Sequence, residues 1–81
     1  MEKIIIDENF NGIYKQDKQD WYFKIDIDIS FPNAHIEVNI PLVTKSIKGR
    51  SLKVGEWLEV EEWLEVGEWL KVGEWLFAFL D

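Results

Sequence analysis

The residues best able to carry acid–base or metal chemistry are one histidine and a few carboxylates. His35 is the only histidine among the 81 residues, and the chain has no cysteine. If the strands around it pair antiparallel, Asp28 lies opposite Glu37 and Asp26 lies opposite Asn39. His35 with either Asp28 or Glu37 could form an acid–base pair. Opposed carboxylates destabilise a sheet unless a basic partner, or a weakly bound calcium ion, neutralises them.

We nevertheless predict that this acidic patch (Asp26, Asp28, His35 and Glu37) is the solvated face of a sheet, since exposed faces of antiparallel sheets are normally polar. The chain contains no nucleophile motif, glycine-rich phosphate loop or metal-ligand spacing. The segment KSIKGRS (45–51) has lysine, glycine and serine, but not in the order of a phosphate-binding loop. We therefore expect no catalytic, cofactor-binding or metal-binding residues, and no enzymatic activity.

The other candidate is a tryptophan-rich repeat in the C-terminal third. Four consecutive hexapeptides, VGEWLE, VEEWLE, VGEWLK and VGEWLF, place a tryptophan at every sixth position from 57 to 75. Such a row could cover the core, mediate self-association, or stack sugars and cations. The candidate interaction surface comprises Trp57, Trp63, Trp69, Trp75, Glu56, Glu59, Glu62, Glu65 and Glu68.

The charge of the chain is concentrated in the same segment. Residues 1–53 hold eight acids and eight bases, whereas residues 54–81 hold eight acids and only Lys71 as a base, so the whole net charge of −7 lies there. A field of one sign repels nucleic acid and attracts basic proteins. The partner is therefore expected to be a basic protein or a second copy, as a homo-oligomer. No apolar run has membrane-spanning length, and the N-terminus is too short and too charged for a signal peptide, so we expect a cytoplasmic protein without membrane contact.

The elements that would position these residues begin with an antiparallel sheet. Apolar and polar residues alternate from Trp21 to Phe31 and again from Ala34 to Leu42, and the turn formers Pro32-Asn33 lie between the two runs. A hairpin with this two-residue loop sets each apolar residue of one run opposite an apolar residue of the other. Asn11-Gly12 indicates an earlier hairpin. The predicted meander has four strands, at about 3–9, 13–17, 21–31 and 34–43.

The repeat must then cover the apolar face of the sheet. An α-helix is disfavoured because successive tryptophans step around its axis by about 120°, and each glycine costs roughly 1 kcal/mol. A triangular β-solenoid does use hexapeptide faces, but four hexapeptides give little more than one coil, and indole is large for its interior. We therefore expect short WLEV strands joined by Gly-Glu type II′ turns, in which glycine adopts positive φ.

The sequence thus predicts one small all-β domain, with an antiparallel sheet (1–43), a basic connector (44–51) and an acidic tryptophan repeat (52–81). The alternative is an α+β fold whose C-terminal helix packs on the sheet or within an oligomer. For function we expect a non-enzymatic acidic interaction domain, such as an inhibitor or an immunity- or antitoxin-type partner of a basic protein. The alternatives are a structural protein that oligomerises through the repeat, and a small-ligand or carbohydrate-binding β domain.

Overall fold

The structure, a computed structural model, describes residues 2–80, with side chains to residue 78. Strands make up 68% of the chain and helical turns 4%, which confirms the all-β prediction and excludes a C-terminal helix. Within residues 2–80, no helix has the length and apolarity needed to cross a membrane. The elements are β1 (Glu2–Ile6), a turn of 3₁₀ helix (Lys15–Asp17), β2 (Phe23–Lys24), β3 (Asp28–Val38), β4 (Leu42–Val54), β5 (Trp57–Val72) and β6 (Trp75–Leu80).

The strands pair in parallel, so the predicted antiparallel meander is wrong. The sheet order is β1-β3-β4-β5-β6, with β2 also beside β4, and every pairing between these strands is parallel. Between β4 and β5, each residue lies beside one that follows it by 16 to 18 positions, from Leu42 beside Leu58 to Leu52 beside Leu70. The chain therefore winds in successive coils that stack directly on one another, as in a β-solenoid.

Each coil bends at corners into three faces. Register shifts interrupt the β4–β5 ladder between Thr44 and Ser46 and between Gly49 and Ser51, and β4 and β5 are separate strands on either side of residues 55–56. The stacked segments are 23–24, 42–44, 57–60 and 75–78 on the first face, 28–31, 46–49 and 63–66 on the second, and 2–6, 34–38, 51–54 and 69–72 on the third.

Inside the coils, leucine and valine of the repeat form the core. In Trp-Leu-x-Val, side chains alternate between the two sides of the strand, so leucine and valine point inward while tryptophan and x point outward. Leu58, Val60 and Leu64 are accordingly fully buried. Each inward residue stacks on the equivalent residue of the next coil, as in the column Leu42, Leu58 and Leu76. Tryptophan therefore does not occupy the interior, and its size is no obstacle to a solenoid.

The predicted hairpin at Pro32-Asn33 is not formed. β3 continues through these residues, and its ladder with β4 shifts register between Phe31 and His35, so the turn formers make a corner. The second apolar run does face the core, as predicted: Ala34, Ile36, Val38, Ile40 and Leu42 are all buried. What the alternation did not reveal was the partner, which for Ile36 is Ile4 on one side and Leu52 on the other.

The coils begin well before the tandem repeat. Inward residues at Ile29, Ile36, Leu42 and Leu52 stack in the same ladder as the leucines of the repeat, so less regular hexapeptides build the earlier coils. Residues 44–51 lie within β4. The predicted type II′ turns are also wrong, because among residues 2–80 the only positive φ is that of Gly12, at 111°.

The two ends of the solenoid differ. Residues 7–22 fold under the first coil, where Ile13 is buried and Phe10 packs against the core. At the other end, β6 continues the first face, but on the third face no described strand follows residues 69–72. Leu70 and Val72 are 38% and 36% exposed, although they stack on Leu52 and Val54, which are 0% and 1% exposed. Within the described residues, the N-terminal end is therefore capped and the C-terminal end is open.

Candidate functional site

The four repeat tryptophans do not form one row. Six residues span one face of a coil, so Trp63 and Trp69 lie on the second and third faces, and only Trp57 and Trp75 share a column. The Trp57 and Trp75 rings stack with centroids 4.8 Å apart and planes at 6°. Trp21 packs edge-on against Trp57 at 5.0 Å. The structure thus brings together three tryptophans on the first face and separates the other two.

This stack is poorly arranged to bind a sugar. A sugar ring or a cation binds against the flat face of an aromatic ring, and the facing surfaces of Trp57 and Trp75 are occupied by each other. The Phe77 ring lies nearly parallel to that of Trp75, at 11° and 6.0 Å. The rings therefore stabilise successive coils by mutual stacking.

Trp63 and Trp69 each lie beside a buried serine of the preceding coil. Trp63 is next to Ser46, whose hydroxyl donates a hydrogen bond to the Asp28 carboxylate. Trp69 is next to Ser51, whose Oγ is 2.7 Å from Nδ1 of His35. Both serines are 1% exposed. Every buried side-chain nitrogen and oxygen in the described part of the chain has a hydrogen-bond partner. The bonds to Asp28 and His35 therefore satisfy the two serine hydroxyls that lie beside the indoles.

The predicted acidic patch is divided between faces. Asp28 lies on the second face beside Ser46, whereas Glu37 lies on the third face beside Lys53, so the two carboxylates are not opposed. Asp26 is exposed between β2 and β3. Within residues 2–80, no three His, Asp or Glu side chains are grouped so that they could hold a metal ion.

His35 and Glu37 do come together, on the outer side of the third face. His35 Nε2 is 3.6 Å from Glu37 Oε1, and Lys3 Nζ is 3.3 Å from Glu37 Oε2. Burial by itself raises the pKa of the Glu37 carboxyl. The hydrogen bond and charge of Lys3, with a hydrogen bond from His35, outweigh burial and hold the pKa below its ordinary value of 4.5.

In space, Ser51, His35 and Glu37 follow one another as the members of a serine–histidine–acid triad do. Their geometry, however, does not suit acyl transfer. A nucleophile must be within reach of a substrate carbonyl. Ser51 is buried, and the ring of Trp69 lies 5.1 Å from that of His35 on the outer side of this cluster. The hydrogen bonds of the cluster therefore serve to hold adjacent coils together.

The glutamates of the repeat are largely paired with bases of the preceding coil. Glu62, Glu65 and Glu68 form ion pairs at 3.9, 3.2 and 2.9 Å, and their partners are Lys45, Lys48 and Arg50. Sequence reasoning missed these pairs, although each base precedes its acid by one coil length. Exposed ion pairs contribute little to stability, about 0–1 kcal/mol each. They do, however, reduce the negative field that was expected to attract a basic protein.

The remaining surface of note is the open edge, which we define as Trp69–Val72 of β5. It carries three exposed apolar side chains, Trp69, Leu70 and Val72, around the charged Lys71. Its outer backbone groups face no strand among the described residues. An exposed apolar strand edge is a ready template for pairing with another strand.

No family model, curated protein or solved structure matched the chain in our comparisons.

Proposed function

We propose that the chain is a structural self-assembly protein whose open C-terminal end binds a second copy. The observation that supports this proposal most directly is a comparison within the molecule. Leu70 and Val72 occupy the same columns as Leu52 and Val54, yet they are 38% and 36% exposed instead of 0% and 1%. The difference between the two pairs is the presence of a following coil. A second copy would supply that missing layer.

The energetic gain from such a contact is modest but has two sources. Full burial of a leucine or valine side chain contributes roughly 1.5–3 kcal/mol, so covering the exposed third of Leu70 and Val72 contributes about 0.5–1 kcal/mol for each side chain. Pairing of the backbone groups along the open edge adds hydrogen bonds and removes an aggregation-prone edge. Because two copies contribute equally to a symmetric contact, the gain is doubled.

The partner surface that fits best is the same end of another copy. At the capped end, the inward residue Ile6 is already buried, and residues 7–9 and 14–20 present mostly charged and polar side chains. That end exposes Ile5, Tyr14 and Trp21, but the inward residues of β1 are half-buried (Ile4) or buried (Ile6), so it offers fewer uncovered inward side chains to match Leu70 and Val72. In repeat proteins the terminal units are normally capped by polar faces, and among the described residues such a cap is formed by residues 7–22 at the N-terminal end. A contact between two like ends closes as a dimer and leaves the capped ends outward.

The alternative of a basic protein partner has weaker support. Its basis was the charge of residues 54–81, and three of those glutamates are bound to Lys45, Lys48 and Arg50. The two proposals predict opposite effects of salt. Screening weakens attraction between an acidic surface and a basic partner, whereas it strengthens association of two copies that each carry a net charge of −7. We also propose that the protein is cytoplasmic. The absence of cysteine is compatible with this reducing compartment.

Sedimentation equilibrium from low micromolar to several hundred micromolar protein tests the proposal. We expect a monomer–dimer equilibrium whose association constant rises with salt. Leu70→Ser should abolish the dimer, whereas Tyr14→Ser, which removes an exposed side chain near the capped end, should not. A strict monomer across the whole concentration range at both low and high salt would overturn the proposal.

A further inference from the structure

The residues of the open edge restrict the strand register in which two copies can pair. This inference rests on the proposed self-assembly. We propose that the open edges pair antiparallel about a two-fold axis that passes through Leu70. Leu70 then lies opposite the partner's Leu70 on the inner side of the third face. On the outer side, Lys71 of each copy lies beside the partner's Trp69. The contact thus consists of one central apolar pair and two identical lysine–indole pairs, with Val72 of each copy beside the partner's Glu68.

The alternation of side chains restricts the possible registers. Along the open edge, Leu70 and Val72 point inward while Trp69 and Lys71 point outward, since they follow the Leu and Trp positions of the buried coils. In an antiparallel pair, residues directly opposite each other lie on the same face of the sheet. A slip of one residue would expose the inward set. The two-fold axis must therefore pass through one residue of the edge, and the central choices are Trp69, Leu70 and Lys71.

Charge excludes one of these three registers, and the partners of Leu70 and Lys71 distinguish the other two. An axis through Lys71 aligns Leu70 with the partner's Val72, but it opposes Lys71 to the partner's Lys71 and brings Glu68 close to the partner's Glu74. Like charges directly opposite each other destabilise strand pairing. An axis through Trp69 places Leu70 beside the partner's Glu68. The axis through Leu70 opposes no like charges and gives Leu70 an apolar partner at its centre, while Val72 lies beside the partner's Glu68. Of the two registers without opposed like charges, it is the one in which each Lys71 meets an indole.

This register also accounts for the one base of the repeat. The position that follows Leu is Glu59, Glu65, Lys71 and Phe77 in the four copies, and Lys71 is the one that lies on the uncovered edge of the third face. Trp69 is 47% exposed. A lysine ammonium over an indole ring contributes about 0.5–1 kcal/mol at an exposed site, and its methylene stem also packs on the ring. Two such pairs form in each dimer.

Cysteine cross-linking tests the register, because the chain has no native cysteine. Three single variants, Trp69→Cys, Leu70→Cys and Lys71→Cys, are oxidised mildly and separated on a non-reducing gel. Directly opposed Cβ atoms lie about 4.5–5.5 Å apart, close to disulfide distance. We expect Leu70→Cys to form a covalent dimer by itself. Trp69→Cys and Lys71→Cys should each stay monomeric on the gel and cross-link only when they are mixed.

A matched pair of charge variants gives a second measurement that does not depend on a cysteine in the interface. Lys71→Gln removes both lysine–indole pairs and should raise the dimer dissociation constant by roughly 5- to 30-fold. Lys53 lies directly beneath Lys71 on the same face, one coil away from the edge. Lys53→Gln should therefore leave the dissociation constant unchanged.

The outcomes separate this inference from the proposed function. Cross-linking of Lys71→Cys or Trp69→Cys alone, or equal effects of Lys71→Gln and Lys53→Gln, would overturn the register while self-assembly stands. A concentration-dependent dimer that cross-links through none of the three cysteines would show that the open edge is not the contact. A protein that is monomeric at every concentration would overturn both proposals.

Discussion

Leucine at position 52 and leucine at position 70 provide a test of the solenoid within one column of the core. Leu52 has a coil on each side and is fully buried, whereas Leu70 has a coil on one side only and is 38% exposed. Truncating a fully buried leucine to alanine typically destabilises a protein by about 2–5 kcal/mol. We expect Leu52→Ala to lie in this range. Leu70→Ala should cost roughly 1–2 kcal/mol in the monomer, since the cavity it leaves opens to solvent.

The assay is urea denaturation followed by tryptophan fluorescence at two protein concentrations, one well below and one well above the dimer dissociation constant. At the low concentration the difference between the two variants should be about 1–3 kcal/mol. At the high concentration the cost of Leu70→Ala should rise toward that of Leu52→Ala, because a second copy then covers position 70 and the variant also weakens binding. The cost of Leu52→Ala should not change with concentration.

Equal costs for the two variants at low concentration would contradict the parallel stacking, since an antiparallel meander gives no reason for Leu52 and Leu70 to share a column. A cost for Leu70→Ala that is the same at both concentrations would contradict the open end as the interface. Because both variants make the same chemical change, differences in unfolded-state behaviour largely cancel.

Three further predictions concern single positions. Gly73→Ala should destabilise by about 1–3 kcal/mol, because its Cβ would lie 2.6 Å from the backbone oxygen of Gly55, whereas Gly67→Ala, at 3.5 Å from its nearest neighbour, should be close to neutral in thermal melts. Ser46→Ala removes the donor to Asp28 and should cost roughly 1–3 kcal/mol by urea denaturation; Ser30→Ala, on the exposed surface, serves as the control. Glu37 has a lowered pKa in the folded protein, so its stabilising effect is present above pH 4.5 and is lost as the pH falls below that value. Glu37→Gln should therefore flatten the loss of stability on acidification, and a variant as acid-sensitive as the parent would contradict the ion pair with Lys3.

The sequence was sufficient to predict the all-β class and the buried side of the run from Ala34 to Leu42. It was not sufficient to predict strand direction, because the alternation that buries Ile36 is equally satisfied by an antiparallel neighbour at Ile29 and by the parallel neighbours Ile4 and Leu52. Periodicity of two specifies a face and not a partner. The turn formers Pro32-Asn33 made the hairpin attractive, yet the same residues suit a solenoid corner.

The repeat was misjudged because the tryptophans were assumed to be its inward residues. Leucine and valine are the smaller members of the hexapeptide and fill the interior, while indoles outside the coil cover polar groups of the preceding coil, as Trp63 does for Ser46. The candidate tryptophan row could not be located correctly without the coil length, since one hexapeptide turns the chain to a new face. The ion pair between Lys48 and Glu65 depends on the same length.

The near identity of the hexapeptides has a consequence for how the chain finds its native alignment. If one hexapeptide of β5 were looped out at a corner, the next would take its place with leucine and valine again inward, so the core alone discriminates poorly against such slipped species. Slow rearrangement from misaligned strands is a known hazard of parallel topologies. The outer charges supply the discrimination: in the slipped alignment Lys71 would replace Glu65 beside Lys48, and an ion pair would become a repulsion. The single lysine of the repeat thus distinguishes its hexapeptide from the other three. It disfavours a slipped strand alignment that the core residues alone would tolerate.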